Sequence, residues 1–171
     1  MFIGLFGGAF DPPHSGHQQL LKRALALKFF DEIWIVPTFL PPLKMTGNHN
    51  SVAGSEERLE MCKLLTGDKK IKVLDLEIKR GGKSYSIDTV RELKKKYPRN
   101  KFYFLIGSDW VPDLSKWHRA NELLKEIEFV SLPRTEISSS EIRERIKNGE
   151  NIGNLVPEEI EKYIKEHELY K

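Results

Sequence analysis

Residues 2–17 read FIGLFGGAFDPPHSGH. An apolar run comes first, two adjacent glycines follow it, and two histidines three positions apart come last. A buried strand that leads through glycines into a helical pattern is typical of the first unit of a parallel α/β sheet. The stretch therefore predicts a strand over residues 2–6, a turn over residues 7–13 and a helix over residues 15–29.

The same alternation of apolar runs and amphipathic stretches continues along the chain. It predicts an α/β fold with a doubly wound parallel sheet in a single domain of residues 1–171. We expect the C-terminal helical part, about 138–171, to pack on the sheet. Further strands are predicted over residues 33–36, 71–78, 101–107 and 128–132, and helical stretches over residues 55–66, 111–114 and 120–125 and from about residues 86, 138 and 157.

Composition excludes several classes of protein. Hydrophobic residues make up 39% of the 171 residues, which is too much apolar content for a disordered chain. The single cysteine, Cys62, excludes an intramolecular disulfide framework. No apolar run approaches the roughly 20 residues that a membrane span requires, and the N-terminal run lacks the basic segment of a signal peptide. We therefore expect a cytoplasmic protein without a membrane partner.

The charge balance limits the partners further. Lys and Arg number 28 against 25 Asp and Glu, which gives a net charge of +3 with both signs interspersed. This balance permits anionic ligands. A nucleic-acid-binding protein would need a basic stripe on one side, which the interspersed pattern does not offer, so we expect no nucleic-acid partner.

The first candidate site is the turn after the first strand. Gly7 and Gly8 let the backbone approach a ligand closely, and the helix start that follows favours phosphate. His14 and His17 lie one helical turn apart on the same face. Asp11 and the two histidines could instead ligate zinc, although zinc would leave the glycines and the helix start without a function.

The second candidate site lies near residue 138. Ser138, Ser139 and Ser140 open a predicted helix that also carries Arg143, and hydroxyls, free amides and a guanidinium together suit an anion. The alternative is an ordinary helix cap followed by small polar residues. Ligands of open parallel sheets bind beyond the carboxyl ends of the strands. The two candidate sites are therefore predicted to form opposite walls of one polyphosphate site.

These two segments resemble the nucleotidyltransferase superfamily that carries a His-x-Gly-His signature, and more narrowly the bacterial nicotinate mononucleotide adenylyltransferases. The resemblance implies a Rossmann-like nucleotidyltransferase fold. It also implies transfer of AMP from ATP to nicotinate mononucleotide, which gives deamido-NAD and pyrophosphate in NAD biosynthesis. Further segments match in order: Pro41-Pro42-Leu43-Lys44, Arg58-Leu59-Glu60-Met61, Ser84-Tyr85-Ser86-Ile87-Asp88-Thr89, Gly107-Ser108-Asp109, Trp117, Leu155-Val156-Pro157-Glu158 and Tyr163-Ile164.

The resemblance implies roles for individual residues. It implies that His14, His17 and Arg143 are catalytic. The residues implied to bind ATP and its phosphates are Gly7, Gly8, Ala9, Phe10, Lys44, Arg134, Ser138, Ser139 and Ser140. The residues implied to bind the mononucleotide are Ser86, Asp109, Trp117 and His118. Mg²⁺ is implied as an ion carried on ATP, with no metal site on the protein.

Departures from the family pattern leave alternatives open. Ala9 stands where the family usually has Thr or Ser, and Leu43 where it usually has His beside the lysine. The segment before Ile137 is shorter than in the family, which usually has a loop and another strand there. A nucleotide-binding module that has lost catalysis is therefore one alternative.

Two other acceptors also remain open. Nicotinamide mononucleotide differs from nicotinate mononucleotide in one substituent that the backbone would read. Phosphopantetheine is the acceptor of a sister family, which usually has Thr at the position of His14 and lacks counterparts of Trp117 and of residues 84–89. Pyrophosphate release measured with each acceptor separates these alternatives.

Overall fold

The computed structural model describes residues 1–42, 53–133 and 135–171. Its strands are β1 Phe2–Gly8, β2 Glu32–Pro37, β3 Ile71–Val73, β4 Lys101–Gly107 and β5 Glu128–Leu132. They form one parallel sheet in the order β3-β2-β1-β4-β5. Three positions for which the sequence carried a prediction, Leu43, Lys44 and Arg134, lie outside the described residues.

Helices cover both faces of the sheet, which confirms the predicted fold class. The α-helices are α1 Ser15–Ala26, α2 Ser55–Leu64, α3 Leu76–Arg80, α4 Ser86–Lys96, α5 Ala120–Glu126, α6 Ser139–Lys147 and α7 Glu158–Glu166, and a 3₁₀ helix spans Ser108–Lys116. Residues of α1, α2, α6 and α7 share one buried cluster with the sheet, and residues of α4 and α5 share the other. In the part of the chain described, every helix is too short or too polar to span a bilayer.

The interior strand β4 shows why the sheet is buried on both faces. Tyr103 and Leu105 belong to the cluster that contains α1, whereas Phe102, Phe104 and Ile106 belong to the cluster that contains α4. Each of these five side chains is 5% exposed or less. Successive side chains of a strand point to opposite faces, so an unbroken apolar run fits a strand covered on both sides.

The strand order reverses at β1. The chain runs from β1 outward through β2 to β3, and then returns to the other side of β1 to form β4 and β5. A reversal of this kind separates the connection that leaves β1 from the one that leaves β4. It opens a crevice beyond the carboxyl ends of these two strands. Gly8 and Gly107 end β1 and β4 and therefore stand at the mouth of that crevice.

The predicted strand over residues 71–78 was wrong in its second half. β3 ends at Val73, and the chain continues into the short helix α3. Ile33 donates to the carbonyl of Lys70, and Leu74 donates to the carbonyl of Ile35. The next bond of this ladder would need an N–H at Pro37, which proline lacks, so the pairing stops there.

Two helices also end earlier than predicted. α1 ends at Ala26 rather than near residue 29, because Lys28 adopts a left-handed φ of 53° that a helix cannot continue through. α2 starts at Ser55 as predicted and ends at Leu64 rather than at residue 66. Local side-chain pattern predicts that a helix exists better than it predicts the last turn.

Candidate active site

A cleft of about 700 Å³ opens beyond the carboxyl ends of β1 and β4. Among the described residues that the sequence predicted for a site, all except Arg143 line this cleft. They are Gly7, Gly8, Ala9, Phe10, His14, His17, Ser86, Asp109, Trp117, His118, Ser138, Ser139 and Ser140. The fold thus brings together residues from both ends of the sequence, and their individual roles stay predictions.

Two histidines stand at the start of α1. His14 is the capping residue, and its backbone N–H donates to Nδ1 of His17 at 3.1 Å. The centroids of the two imidazole rings lie 3.7 Å apart, and the centroid of the His17 ring lies 5.0 Å from that of the Phe10 ring. Because Nδ1 of His17 accepts this hydrogen bond, the neutral imidazole carries its proton on Nε2. The ring therefore offers one N–H donor in a fixed orientation.

Gly16 makes room for the His14 ring. A Cβ atom at this position would lie 2.9 Å from Nδ1 of His14 and still closer to Oγ1 of Thr135. His14 is only 6% exposed, so its ring has little freedom to move aside. The glycine between the two histidines is thus required by a close approach, and Thr135 is a neighbour that the sequence pattern did not indicate.

Side-chain donors hold three carbonyl groups of the loop between β1 and α1. Three side chains bind these carbonyl oxygens: Nη1 of Arg58 binds Ala9 at 2.6 Å, Nη1 of Arg143 binds Asp11 at 2.6 Å, and Oγ of Ser139 binds Pro12 at 2.9 Å. A carbonyl oxygen repels an anion, and a donor bound to that oxygen reduces the repulsion. The three donors therefore make the loop after β1 less unfavourable to a negatively charged ligand in the cleft.

Arg143 lies behind the loop and does not line the cleft. Its Nη1 binds the carbonyl of Asp11, and its Nη2 donates to Oγ of Ser140 at 3.2 Å. Ser138 caps α6 by accepting the N–H of Glu141 at 3.2 Å. In this arrangement Arg143 connects the start of α6 to the loop after β1, and direct contact with ATP stays a prediction.

Arg58 is a buried cation beneath the same loop. It is 1% exposed, and besides Ala9 it binds the carbonyl of Phe39 at 2.9 Å and that of Ala53 at 3.3 Å. Burial lowers the pKa of Arg58, and the nearby Asp11 opposes that shift. The sequence predicted no role for Arg58, which was only part of a matching segment. Its position one helical turn before buried Met61 and Cys62 on the inner face of α2 could have indicated a buried arginine.

Aromatic side chains form the opposite wall. The ring of Trp117 lies 5.7 Å from that of Phe104 and 6.0 Å from that of Phe129, both nearly perpendicular to it. The rings of Tyr85 and His118 stack at 4.0 Å. Such a surface suits a flat heterocyclic ring. Tyr85 had been matched only as part of a segment.

Glu77 was missed by the sequence analysis, which placed it in a strand. It lines the cleft from α3, is 4% exposed and accepts a hydrogen bond from Oγ1 of Thr89. Arg80 also donates to Oγ1 of Thr89, at 2.9 Å. Burial raises the pKa of Glu77, and the hydrogen bond from Thr89 opposes the shift. These contacts fix the start of α4 on this wall of the cleft.

The zinc alternative finds no support in the geometry. The Asp11 carboxylate accepts hydrogen bonds from the hydroxyl of Tyr170 at 2.8 Å and from the N–H of Ala53 at 3.3 Å. Over residues 1–42, 53–133 and 135–171, no group of three His, Cys, Asp or Glu side chains is arranged to hold a metal ion. Asp11 therefore does not join the two histidines in a ligand set.

Comparisons with known proteins show the family of the chain. Residues 5–145 match the cytidylyltransferase-like family. The chain is 36% identical to the nicotinate-nucleotide adenylyltransferase of Bacillus subtilis, with 99% of this chain and 98% of the relative covered. It is 40% identical, with the same coverage, to a protein of Bacillus licheniformis described as a probable nicotinate-nucleotide adenylyltransferase.

Solved structures show the same fold. The nicotinic acid mononucleotide adenylyltransferase of Plasmodium falciparum, complexed with NaAD, superposes with a TM-score of 0.78 at 22% identity, covering 99% of this chain and 97% of that one. A Vibrio parahaemolyticus structure described as a nicotinate-nucleotide adenylyltransferase gives a TM-score of 0.78 at 21% identity, covering 94% and 96%. On the sequence matches, the chain belongs to the cytidylyltransferase-like family and, within it, to the nicotinate-nucleotide adenylyltransferases.

Proposed function

We propose that the cleft binds ATP and nicotinate mononucleotide side by side and transfers AMP to the mononucleotide, releasing pyrophosphate. The observation that carries the proposal is the pairing of two chemically different walls in one cleft. One wall carries two histidines at a helix start and a loop whose Ala9 carbonyl is bound by Arg58, which suits phosphate. The other wall carries Trp117 and Tyr85, which suit a pyridine ring.

Transfer of AMP to the mononucleotide requires alignment of the substrates and stabilisation of charge, and it requires no catalytic base. The attacking group is a phosphate monoester, whose second pKa near ~6 leaves it ionised at neutral pH. Two anions must be brought together and the charge on the transferring phosphorus stabilised. We assign the Nε2–H of His17 to the α-phosphate, with His14 and the amides of Gly8 and Ala9 around it. The N-terminus of α1 adds a favourable dipole.

The leaving pyrophosphate is assigned to the start of α6. Ser138, Ser139 and Ser140 line the cleft at the start of α6, and we assign the hydroxyls of Ser138 and Ser140 and the backbone amides of this helix start to the anion. Lys44 and Arg134 are proposed to add positive charge there. Mg²⁺ is proposed to arrive on ATP, where it neutralises phosphate charge. A wall of hydroxyls fits an ion held by phosphate oxygens and water.

The acceptor is assigned to the aromatic wall. Trp117 would stack on the pyridine ring, and Asp109 would bind a ribose hydroxyl. Ser86 begins the 11-residue helix α4 and lines the cleft, so its end of the helix dipole favours a carboxylate over a neutral amide. With the backbone of His118, this helix start is the proposed reason for preferring nicotinate over nicotinamide.

An acceptor panel tests the proposal. Pyrophosphate release is measured with ATP, Mg²⁺ and one of three acceptors: nicotinate mononucleotide, its amide, or phosphopantetheine. We expect kcat/KM to be highest with nicotinate mononucleotide. Higher kcat/KM with the amide or with phosphopantetheine would overturn the assignment of the acceptor. ATP binding without pyrophosphate release from any acceptor would show a nucleotide-binding module instead.

Substitution of Trp117 tests the acceptor wall. We expect Trp117→Ala to raise KM for nicotinate mononucleotide by about tenfold or more, because stacking on an aromatic side chain contributes ~1–3 kcal/mol per base. KM for ATP should stay within about twofold, and Trp117→Phe, which keeps an aromatic face, should recover part of the loss. Steady-state kinetics with each substrate varied in turn give both constants. An equal rise in both KM values would place Trp117 outside the acceptor site.

A further inference from the structure

Tyr170 lies beyond α7 with its side chain folded into the protein. The chain turns there through left-handed φ values of 52° at Glu168 and 67° at Tyr170, and the N–H of Leu169 binds the carbonyl of Ile164 at 3.0 Å. Tyr170 is 2% exposed and belongs to the same buried cluster as Phe10. A side chain this deep contacts the interior of the loop after β1.

The Tyr170 hydroxyl binds the side chain of Asp11. It donates to Oδ1 of Asp11 at 2.8 Å, within a site where Asp11 is 4% exposed. Burial, with the Asp11 charge, raises the pKa of Tyr170, so the hydroxyl keeps its proton and remains a donor. A phenylalanine would fill the same apolar space, so the substitution removes the bond to the carboxylate and leaves the packing. A buried carboxylate needs such donors, because removing one leaves its desolvation uncompensated.

Asp11 connects that hydroxyl to the phosphate wall, which is the side of the cleft formed by the loop after β1 and the two histidines. Its own carbonyl is bound by Arg143, so the residue is fixed through both its side chain and its backbone. Phe10 precedes it with a left-handed φ of 50°, a conformation that surrounding contacts must maintain, and its ring packs 5.0 Å from that of His17. The orientation of the His17 ring therefore depends on how Asp11 is held.

We propose that Tyr170 is a positioning residue for adenylyl transfer, which acts through Asp11 to hold the loop after β1 and the His17 ring. This inference rests on the proposed function. It assigns a role to a residue that touches no substrate and stands 159 positions from its partner.

Tyr170→Phe tests the proposal because it removes only the hydroxyl. We expect kcat to fall about tenfold, in line with loss of one hydrogen bond to a charged group. KM for nicotinate mononucleotide should stay within about twofold, because its wall is built from other elements. Tyr163→Phe on α7 is the matched control and should keep the parent kcat. A Tyr170→Phe kcat equal to that of the parent would overturn the proposal.

A double-mutant cycle shows whether Tyr170 acts through Asp11. Asp11→Ala removes the acceptor oxygen of the Tyr170 hydroxyl, and it also serves if Tyr170→Phe folds poorly. We expect Tyr170→Phe to lower kcat less than about twofold in the Asp11→Ala background. Full additivity would mean that Tyr170 acts elsewhere. If the parent releases no pyrophosphate, the proposed function fails alone, and weaker ATP binding by Tyr170→Phe in titration calorimetry still tests the positioning role.

Discussion

His17→Ala is expected to lower kcat for pyrophosphate release by about 100-fold or more, the usual cost of deleting a donor to a transition state. The reason lies in the hydrogen bond from the His14 backbone to Nδ1 of His17, which leaves Nε2–H as a fixed donor in the cleft. KM for nicotinate mononucleotide should change little, because the aromatic wall is intact. Stopped or continuous pyrophosphate assays give kcat, and circular dichroism checks the fold.

Two matched variants sharpen this test. His17→Gln keeps an N–H donor at a similar reach and should recover part of the lost rate. His167→Ala removes an imidazole that stacks on Tyr163 at 4.1 Å, away from the cleft, and should keep the parent rate. A His17→Ala enzyme that turns over like the parent would show that the phosphate wall works through other groups.

Arg58→Met is expected to give the largest loss of stability. Methionine matches the apolar stem of arginine, but three carbonyl oxygens, those of Ala9, Phe39 and Ala53, lose their donor. An unsatisfied buried acceptor costs about 1–3 kcal/mol and a part-buried one less, so we expect a total of about 3 kcal/mol for these three bonds. For a chain of this size that corresponds to a fall in Tm of roughly 10 °C, measured by differential scanning calorimetry.

A surface arginine provides the comparison for Arg58. Arg91 binds Glu122 at 3.0 Å and Glu126 at 2.6 Å but is 39% exposed, so Arg91→Met should shift Tm by at most about 2 °C. Arg58→Lys keeps the charge and one or two of the donors, and its Tm should lie between those of the parent and of Arg58→Met. Equal Tm values for Arg58→Met and Arg91→Met would contradict a structural role for the buried guanidinium.

Ala9 shows why a departure in the sequence need not disable a site. The family usually carries a hydroxyl here, but the structure uses the backbone of Ala9, whose carbonyl is held by Arg58. That contact does not depend on the side chain of residue 9. The proposed catalytic function therefore depends here on backbone geometry, which an alanine at position 9 leaves unchanged.

The strand ending at Val73 shows the opposite case. The apolar spacing of residues 71–78 satisfies a strand pattern, yet the chain turns into α3 after three residues of pairing. The deciding fact is the missing N–H of Pro37 on the neighbouring strand, which only the register of β2 against β3 reveals. The same error hid Glu77, because a helix and a strand would point this side chain in different directions.

The sequence alone predicts that the five strands and most of the helices exist. It also predicts site residues, and nearly all of the described ones line the cleft. Those features depend on patterns local in the chain: apolar periodicity, glycines after a strand and hydroxyls at a helix start. Tertiary structure alone decided that Arg143 stands behind the loop, that Arg58 lies beneath it and that Tyr170 reaches Asp11. These contacts span 132, 49 and 159 positions, and no local pattern encodes which distant donor a buried carbonyl or carboxylate will meet.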